Sequence, residues 1–218
     1  MDAQIIKIDD RFVNIFLVRE ASGLTLVDTG TRFGPRAVRR ALREHGARLD
    51  EIRHILITHA DPDHIGGLAE IAAATGATVY ASAIEAAATE RGESSRPVHI
   101  PAPLQLVLGW MMVIKPAGVS HILAPDEELP ILGGLRALAT PGHTPGHTSF
   151  YAPAQGVLFA GDSLRSGKDG LVFSDGPVTW NYAVGRESVA VQRALGARMV
   201  CCGHGPVLRD GAIRYAAS

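Results

Sequence analysis

The chain has 218 residues, 46% of them apolar and 20% charged, enough to build and cover one substantial core, so a disordered or fibrous polypeptide is excluded and a single domain over 1–218 is expected. A formal net charge of −1 supplies no global field to gather nucleic acid or an anionic membrane surface, and neither is expected as a partner. The only cysteines, Cys201 and Cys202, are adjacent and cannot staple a loop, and the first residues lack the basic start and apolar run of an export signal; both point to a reducing, cytoplasmic setting.

Three runs rich in Ile, Val, Phe and Leu open the chain at 4–8, 12–18 and 24–27, separated by polar or Gly-containing turns, and are predicted to be strands. Asp28-Thr29-Gly30 ends the third. Pro35 suits a first helical turn, and Val38, Ala41, Leu42 and His45 recur at helical spacing until Gly46, which predicts an amphipathic helix with Arg36, Arg39, Arg40 and Arg43 on its solvated face. Residues 55–58 read as a buried strand, and Ile65, Leu68, Ile71 and Ala72 predict a helix from His64 to Gly76, leaving 58–64 as a strand-to-helix loop. A strand at 78–82, a short helix at 83–89 and an irregular stretch over 91–121 follow. Within that stretch 104–114 is strongly apolar but well short of the roughly 20 residues that span a bilayer; it reads as core, groove wall or homodimer contact. The second half has predicted strands at 135–140, 148–152, 157–160 and 199–202 and a helix at 186–195. Alternating strands and helices make this an α/β protein.

The chemistry is concentrated at strand ends. Thr58-His59-Ala60-Asp61-Pro62-Asp63-His64 packs four groups able to ligate a metal into one loop after a buried strand. His143 and His147 lie in a Gly/Pro turn after another strand, and Gly161-Asp162 and Gly203-His204-Gly205 repeat the arrangement twice more. Imidazole and carboxylate suit Zn²⁺, Fe²⁺ or Mn²⁺, and neighbouring glycines let the backbone come close. Any one of these histidines would ordinarily be a satisfied boundary residue, as His45, His54, His99 and His121 are taken to be. Four strand ends of the same kind are economically explained only by convergence on one site. Cys201 and Cys202 read as small buried hydrophobes.

In this order, with Leu26-Val27-Asp28-Thr29-Gly30 as the early strand and turn, the motifs closely resemble those of the metallo-β-lactamase superfamily over almost the whole chain. The resemblance implies a four-layer αββα sandwich of two mixed sheets flanked by helices. It places one metal ion on His59, Asp61 and His143 and a second on Asp63, His64 and His204, with Asp162 bridging both. His147 would hydrogen-bond a ligand or substrate. Asp61 departs from the family's usual histidine and is similar to the glutamate of flavodiiron proteins; the alternative to ligation is a hydrogen bond to a neighbouring ligand. As a ligand it adds a negative charge and moves the preference of that position from zinc toward iron or manganese.

The expected activity is hydrolysis of a small-molecule substrate by a hydroxide shared between two divalent ions, zinc first, with Asp63 as the catalytic residue that orients it and handles its proton. The bond would be ester-like: a thioester, a lactone or a β-lactam ahead of a phosphoester. An iron-dependent oxidoreductase and a metal-binding regulator without turnover are the alternatives. The region 166–182, with Trp180, is a candidate groove wall.

Overall fold

Apolar runs separated by tight turns form two mixed sheets. Residues 3–97, 113–168, 170–174, 176 and 178–215 are described in the computed structural model of the chain, which divides into two compact units, Met1–Ile122 and Leu123–Ser218. The apolar stretch at 104–114 and His99 fall largely outside the described residues.

In the first unit β1 (Gln4–Asp10), β2 (Val13–Glu20), β3 (Gly23–Val27), β4 (Ile52–Leu56), β5 (Thr78–Ser82) and β6 (His121–Leu123) form one sheet in sequence order. The first three pair antiparallel, whereas β3, β4 and β5 run parallel and are joined by α1 (Gly34–Glu44) and by α2 (Pro62–Ile65) with α3 (Leu68–Thr75). Parallel neighbours end at the same edge of the sheet. Asp28 after β3 and the 57–61 loop after β4 therefore emerge side by side. Val38, Ala41 and Leu42 of α1 are buried among Leu26, Ile55 and Leu68, and Arg39 and Arg40 pair with Glu70 and Glu44 on the outer side. Helix α4 (Ala83–Arg91), which follows β5, begins at a Ser82 N-cap whose side chain accepts from the Glu85 N–H.

The predicted 64–76 helix is broken. Pro62 starts a one-turn helix that carries Asp63 and His64, and Gly66-Gly67 then interrupts it before α3. A Cβ on Gly66 would lie 2.4 Å from the Pro62 carbonyl oxygen and 2.7 Å from the Arg32 nitrogen. Periodicity alone carries no sign of that close approach, which belongs to the 29–32 turn packed beneath.

The second unit has a sheet in the order β14 (Leu208–Arg209), β13 (Met199–Cys202), β10 (Val157–Gly161), β9 (Thr148–Ala152), β8 (Leu135–Ala139) and β7 (Glu128–Leu129). β10 pairs parallel with β13 and antiparallel with β9, which pairs antiparallel with β8, so β8, β10 and β13 run in one direction and end at one edge. His143, Asp162 and His204 follow those three ends. A two-stranded hairpin, β11 (Leu164–Gly167) and β12 (Gly170–Phe173), and the short β7 and β14 escape the apolar-run criterion. The last helix, α5 (Tyr182–Ala194), starts earlier than its apolar pattern suggests because Asn181 caps it, accepting from the N–H groups of Ala183 and Val184.

Cys201 and Cys202 are buried, as expected of packing residues. Burial pushes both thiols up, Cys202 to about 12, so neither offers a thiolate at neutral pH. Among the described residues no helix is long and apolar enough to cross a membrane.

Candidate metal centre

Asp28 organises the first unit's edge. It is buried at a left-handed φ of 59°, a conformation Asp tolerates better than most residues, and this turns its carboxylate back over β4. Its Oδ1 accepts from the Thr58 N–H at 2.9 Å, and Oδ2 from the Thr58 hydroxyl at 2.7 Å. His64 Nδ1 lies 2.8 Å from the same Oδ2. A carboxylate only accepts, so His64 must donate from Nδ1, which leaves the lone pair on Nε2.

The same reasoning settles His59. Thr58 has a single hydroxyl hydrogen and Asp28 takes it, so Thr58 Oγ1 can only accept from His59 Nδ1, 3.0 Å away. Both histidines thus present Nε2 as a donor for a cation, with their rings tilted 46° and centroids 4.1 Å apart. This arrangement, in which the far ring nitrogen is held by an outer partner, is the usual support of metal-binding histidine.

Carboxylates stand beside those nitrogens. Asp61 Oδ2 is 3.5 Å from His59 Nε2, and Asp63 Oδ2 is 4.0 Å from His64 Nε2. Two donors each about 2.0–2.1 Å from a tetrahedral zinc ion lie about 3.4 Å apart, so the His59–Asp61 spacing suits one shared ion directly and the Asp63–His64 spacing is slightly wide. Asp61 has further partners. Ser94 Oγ donates to Oδ1 at 2.6 Å, and the buried guanidinium of Arg96 donates to Oδ2.

The second unit builds its cluster differently. Asp162 Oδ2 lies 3.2 Å from His204 Nε2 and 3.7 Å from His143 Nε2, again spacings suited to shared cations. Asp162 N–H donates to His147 Nε2 at 3.1 Å, so His147 carries its proton on Nδ1 and gives it to Thr140 Oγ1 at 2.9 Å. Thr140 passes its own hydrogen to Ser149 Oγ at 2.8 Å; Ser149 donates to the Ala160 carbonyl and accepts from Gln192 Nε2, and Gln192 Oε1 accepts from Ser163. His147 therefore holds the backbone of a candidate ligand, with both ring nitrogens engaged.

The His143 turn is pinned from α5. The Gly142 and His143 carbonyls accept from Asn181 and Trp180, Ser188 donates to the Pro141 carbonyl, and a Cβ on Gly142 would lie 2.3 Å from the Gly185 Cα. Ser166 of the hairpin does the same for the His204 turn, its N–H donating to the His204 carbonyl at 3.5 Å and its hydroxyl to the Pro206 carbonyl at 2.5 Å. Trp180 is 47% exposed beside this turn, and Tyr182 is equally open.

Each of the seven predicted ligands, His59, Asp61, Asp63, His64, His143, Asp162 and His204, belongs to a group of donors able to hold a metal ion. Supporting residues were harder to find from sequence. Asp28 had a signal, an acid abruptly ending an apolar strand. Arg96, Ser94, Thr140 and Gln192 had none, because their spacing to the residues they support follows no local period.

The metallo-β-lactamase superfamily model matches residues 8–204. YobT of Bacillus subtilis, an uncharacterised protein, is 31% identical over 209 residues, covering 91% of this chain and 85% of its own length. A hydroxyacylglutathione hydrolase of Cereibacter sphaeroides is 32% identical over 190 residues, 87% of this chain, and the alignment spans 61% of that enzyme's length. Among solved structures, a metallo-β-lactamase family protein from Thermus thermophilus is 27% identical with a TM-score of 0.70, covering 95% of this chain and 75% of that one. BJP-1, a subclass B3 metallo-β-lactamase of Bradyrhizobium japonicum, shares the fold with a TM-score of 0.69 at 23% identity, covering 93% of this chain and 75% of its own.

Proposed function

The chain belongs to the metallo-β-lactamase superfamily and is a hydrolase of that class, and on this premise we propose that it binds two divalent metal ions, zinc first, and cleaves a small thioester. The observation that carries the metal reading is the pair of histidines, His59 and His64, whose outer nitrogens are committed to Thr58 and Asp28 so that each presents Nε2 beside a carboxylate. His59, Asp61 and His143 would hold one ion; Asp63, His64 and His204 the other; Asp162 would serve both. When bound, two such ions would lower the pKa of water toward about 7 and polarise a carbonyl oxygen.

The chain's own residues then have distinct tasks. Asp63, partly buried in the first turn of α2, orients the attacking water and accepts its proton. Asp28 keeps the His59 and His64 rings from turning, and His147 holds the Asp162 backbone. Trp180 and Tyr182 offer an apolar wall for the substrate's carbon skeleton. The preference for a thioester over a lactone or β-lactam is supported by the relatives named hydroxyacylglutathione hydrolase at 30–34% identity. A small-molecule substrate fits this reading, and neither nucleic acid nor a membrane is needed as a partner.

The test combines metal content with a substrate panel. Protein reconstituted with zinc should saturate at two ions per chain and hydrolyse thioesters faster than lactones, β-lactams or phosphodiesters. His204→Ala should lower that rate about 100-fold or more, since even outer-partner losses cost about 10–100-fold. Saturation below one ion, or full turnover in His204→Ala, sinks the proposal.

A further inference from the structure

Arg96 stands out among charged side chains of the first unit. Its side chain is 4% exposed, and it pairs with Asp61, which is 8% exposed, through the same Oδ2 that lies 3.5 Å from His59 Nε2. Burying a guanidinium is costly unless a carboxylate compensates it. The segment carrying Arg96 is held by three successive residues, two of them on Asp61 of the metal-binding loop and one on Glu85 of α4. Ser94 donates to Asp61 Oδ1, Ser95 donates to Glu85 Oε1 at 2.9 Å, and Arg96 donates to Asp61 Oδ2. Glu85, fully buried, completes the attachment by accepting from the Ala60 N–H at 2.8 Å through its other oxygen. The Asp61 carboxylate and the backbone just before it are thereby fixed.

We propose that Arg96 is the built-in counter-charge of Asp61, and that the Asp61–Arg96 pair stands where a neutral imidazole would, presenting a metal ion with a carboxylate oxygen whose charge is already balanced. The inference rests on the two-metal reading and deepens it. A carboxylate oxygen has two lone pairs, so Oδ2 can accept from Arg96 and still offer an electron pair toward the His59 side. Without Arg96, Asp61 would add a third carboxylate to Asp63 and Asp162 and make the bound cation a poorer Lewis acid. With Arg96 the formal charge of the donor set returns to that of a histidine at position 61. Arg96 is a positioning residue, acting through Asp61 and touching no substrate.

A double-substitution cycle separates this from a merely structural ion pair. The proteins are wild type, Asp61→His, Arg96→Met and Asp61→His/Arg96→Met, with Arg96→Lys as a charge-conserving control. The readouts are the melting temperature of metal-free protein and the zinc affinity of each site. Each single variant breaks a buried charge pair and should lower the metal-free melting temperature by about 10 °C, while the double variant should recover more than half of the summed loss. Arg96→Lys should melt above Arg96→Met. Asp61→His alone, with Arg96 still cationic beside the ion, should bind its first zinc at least about tenfold more weakly than Asp61→His/Arg96→Met, which should match wild type within about tenfold. Strictly additive melting temperatures, or equal zinc affinity in Asp61→His with and without Arg96, overturn the inference while leaving the two-metal reading intact. Wild-type protein that binds no zinc overturns both.

Discussion

The two units orient their metal-ready side chains by opposite means. In the first, one charged group, Asp28, reaches Thr58 twice and His64 once, and through Thr58 also fixes His59. In the second, a neutral relay from Gln192 through Ser149, Thr140 and His147 ends on the Asp162 backbone, while separate elements hold the His143 and His204 turns. The contrast follows from chain connectivity. His59 and His64 share one loop after a single strand, so one carboxylate on the neighbouring parallel strand can serve both. His143, Asp162 and His204 come from three strands, and each of their turns is held by partners of its own.

The sharpest way to break this contrast is at Asp28. Asp28→Ala removes three hydrogen bonds to a buried carboxylate and puts alanine at a left-handed φ, so it should cost about 3 kcal/mol or more, a fall in melting temperature of about 6–12 °C. Asn tolerates that backbone, so Asp28→Asn isolates the charge and should weaken zinc binding about 10–100-fold with a smaller stability loss. If Asp28→Asn binds zinc as wild type does, the ring orientations do not depend on the carboxylate. Thermal melts and zinc titration of both variants decide this.

A smaller effect is expected where orientation is distributed. Thr140→Val cuts the relay between His147 and Ser149 and should cost about 1 kcal/mol or slightly more, measured by denaturant unfolding. Its zinc affinity should fall less than that of Asp28→Asn. A loss equal to that at Asp28 would mean that the neutral relay is as indispensable as the single charge.

The smallest effect lies away from both clusters. His54, half-buried on β4 with Nδ1 3.1 Å from the Tyr80 hydroxyl, has its pKa lowered from 6.5, chiefly because burial penalises the charged ring. A group depressed in this way binds more protons when unfolded than when folded. Its contribution is therefore complete above about pH 6.5 and is lost as the pH falls through that value toward the folded pKa. His54→Gln should reduce the drop in melting temperature between about pH 7.5 and 5.5 by a degree or two. An identical pH slope in the variant would assign the whole drop to other groups.

What the sequence by itself determined is local. Apolar runs bounded by glycine and proline mark most strands, and each candidate ligand sits in the loop or short helix that follows one, because ligand chemistry and the turn that presents it are written in nearby residues. The superfamily and the seven candidate ligands were legible for that reason, whereas the interruption at Gly66-Gly67 was not, since it is set by the turn packed beneath it. What only tertiary structure decided is the state of those ligands. The tautomers of His59 and His64 depend on Asp28, about thirty residues upstream, and the charge environment of Asp61 depends on Arg96, 35 residues downstream. A hydrogen bond between distant positions leaves no periodic trace in the chain; it exists only when folding brings donor and acceptor to the same edge, and it is there that a set of histidines and aspartates acquires definite tautomers and charge partners.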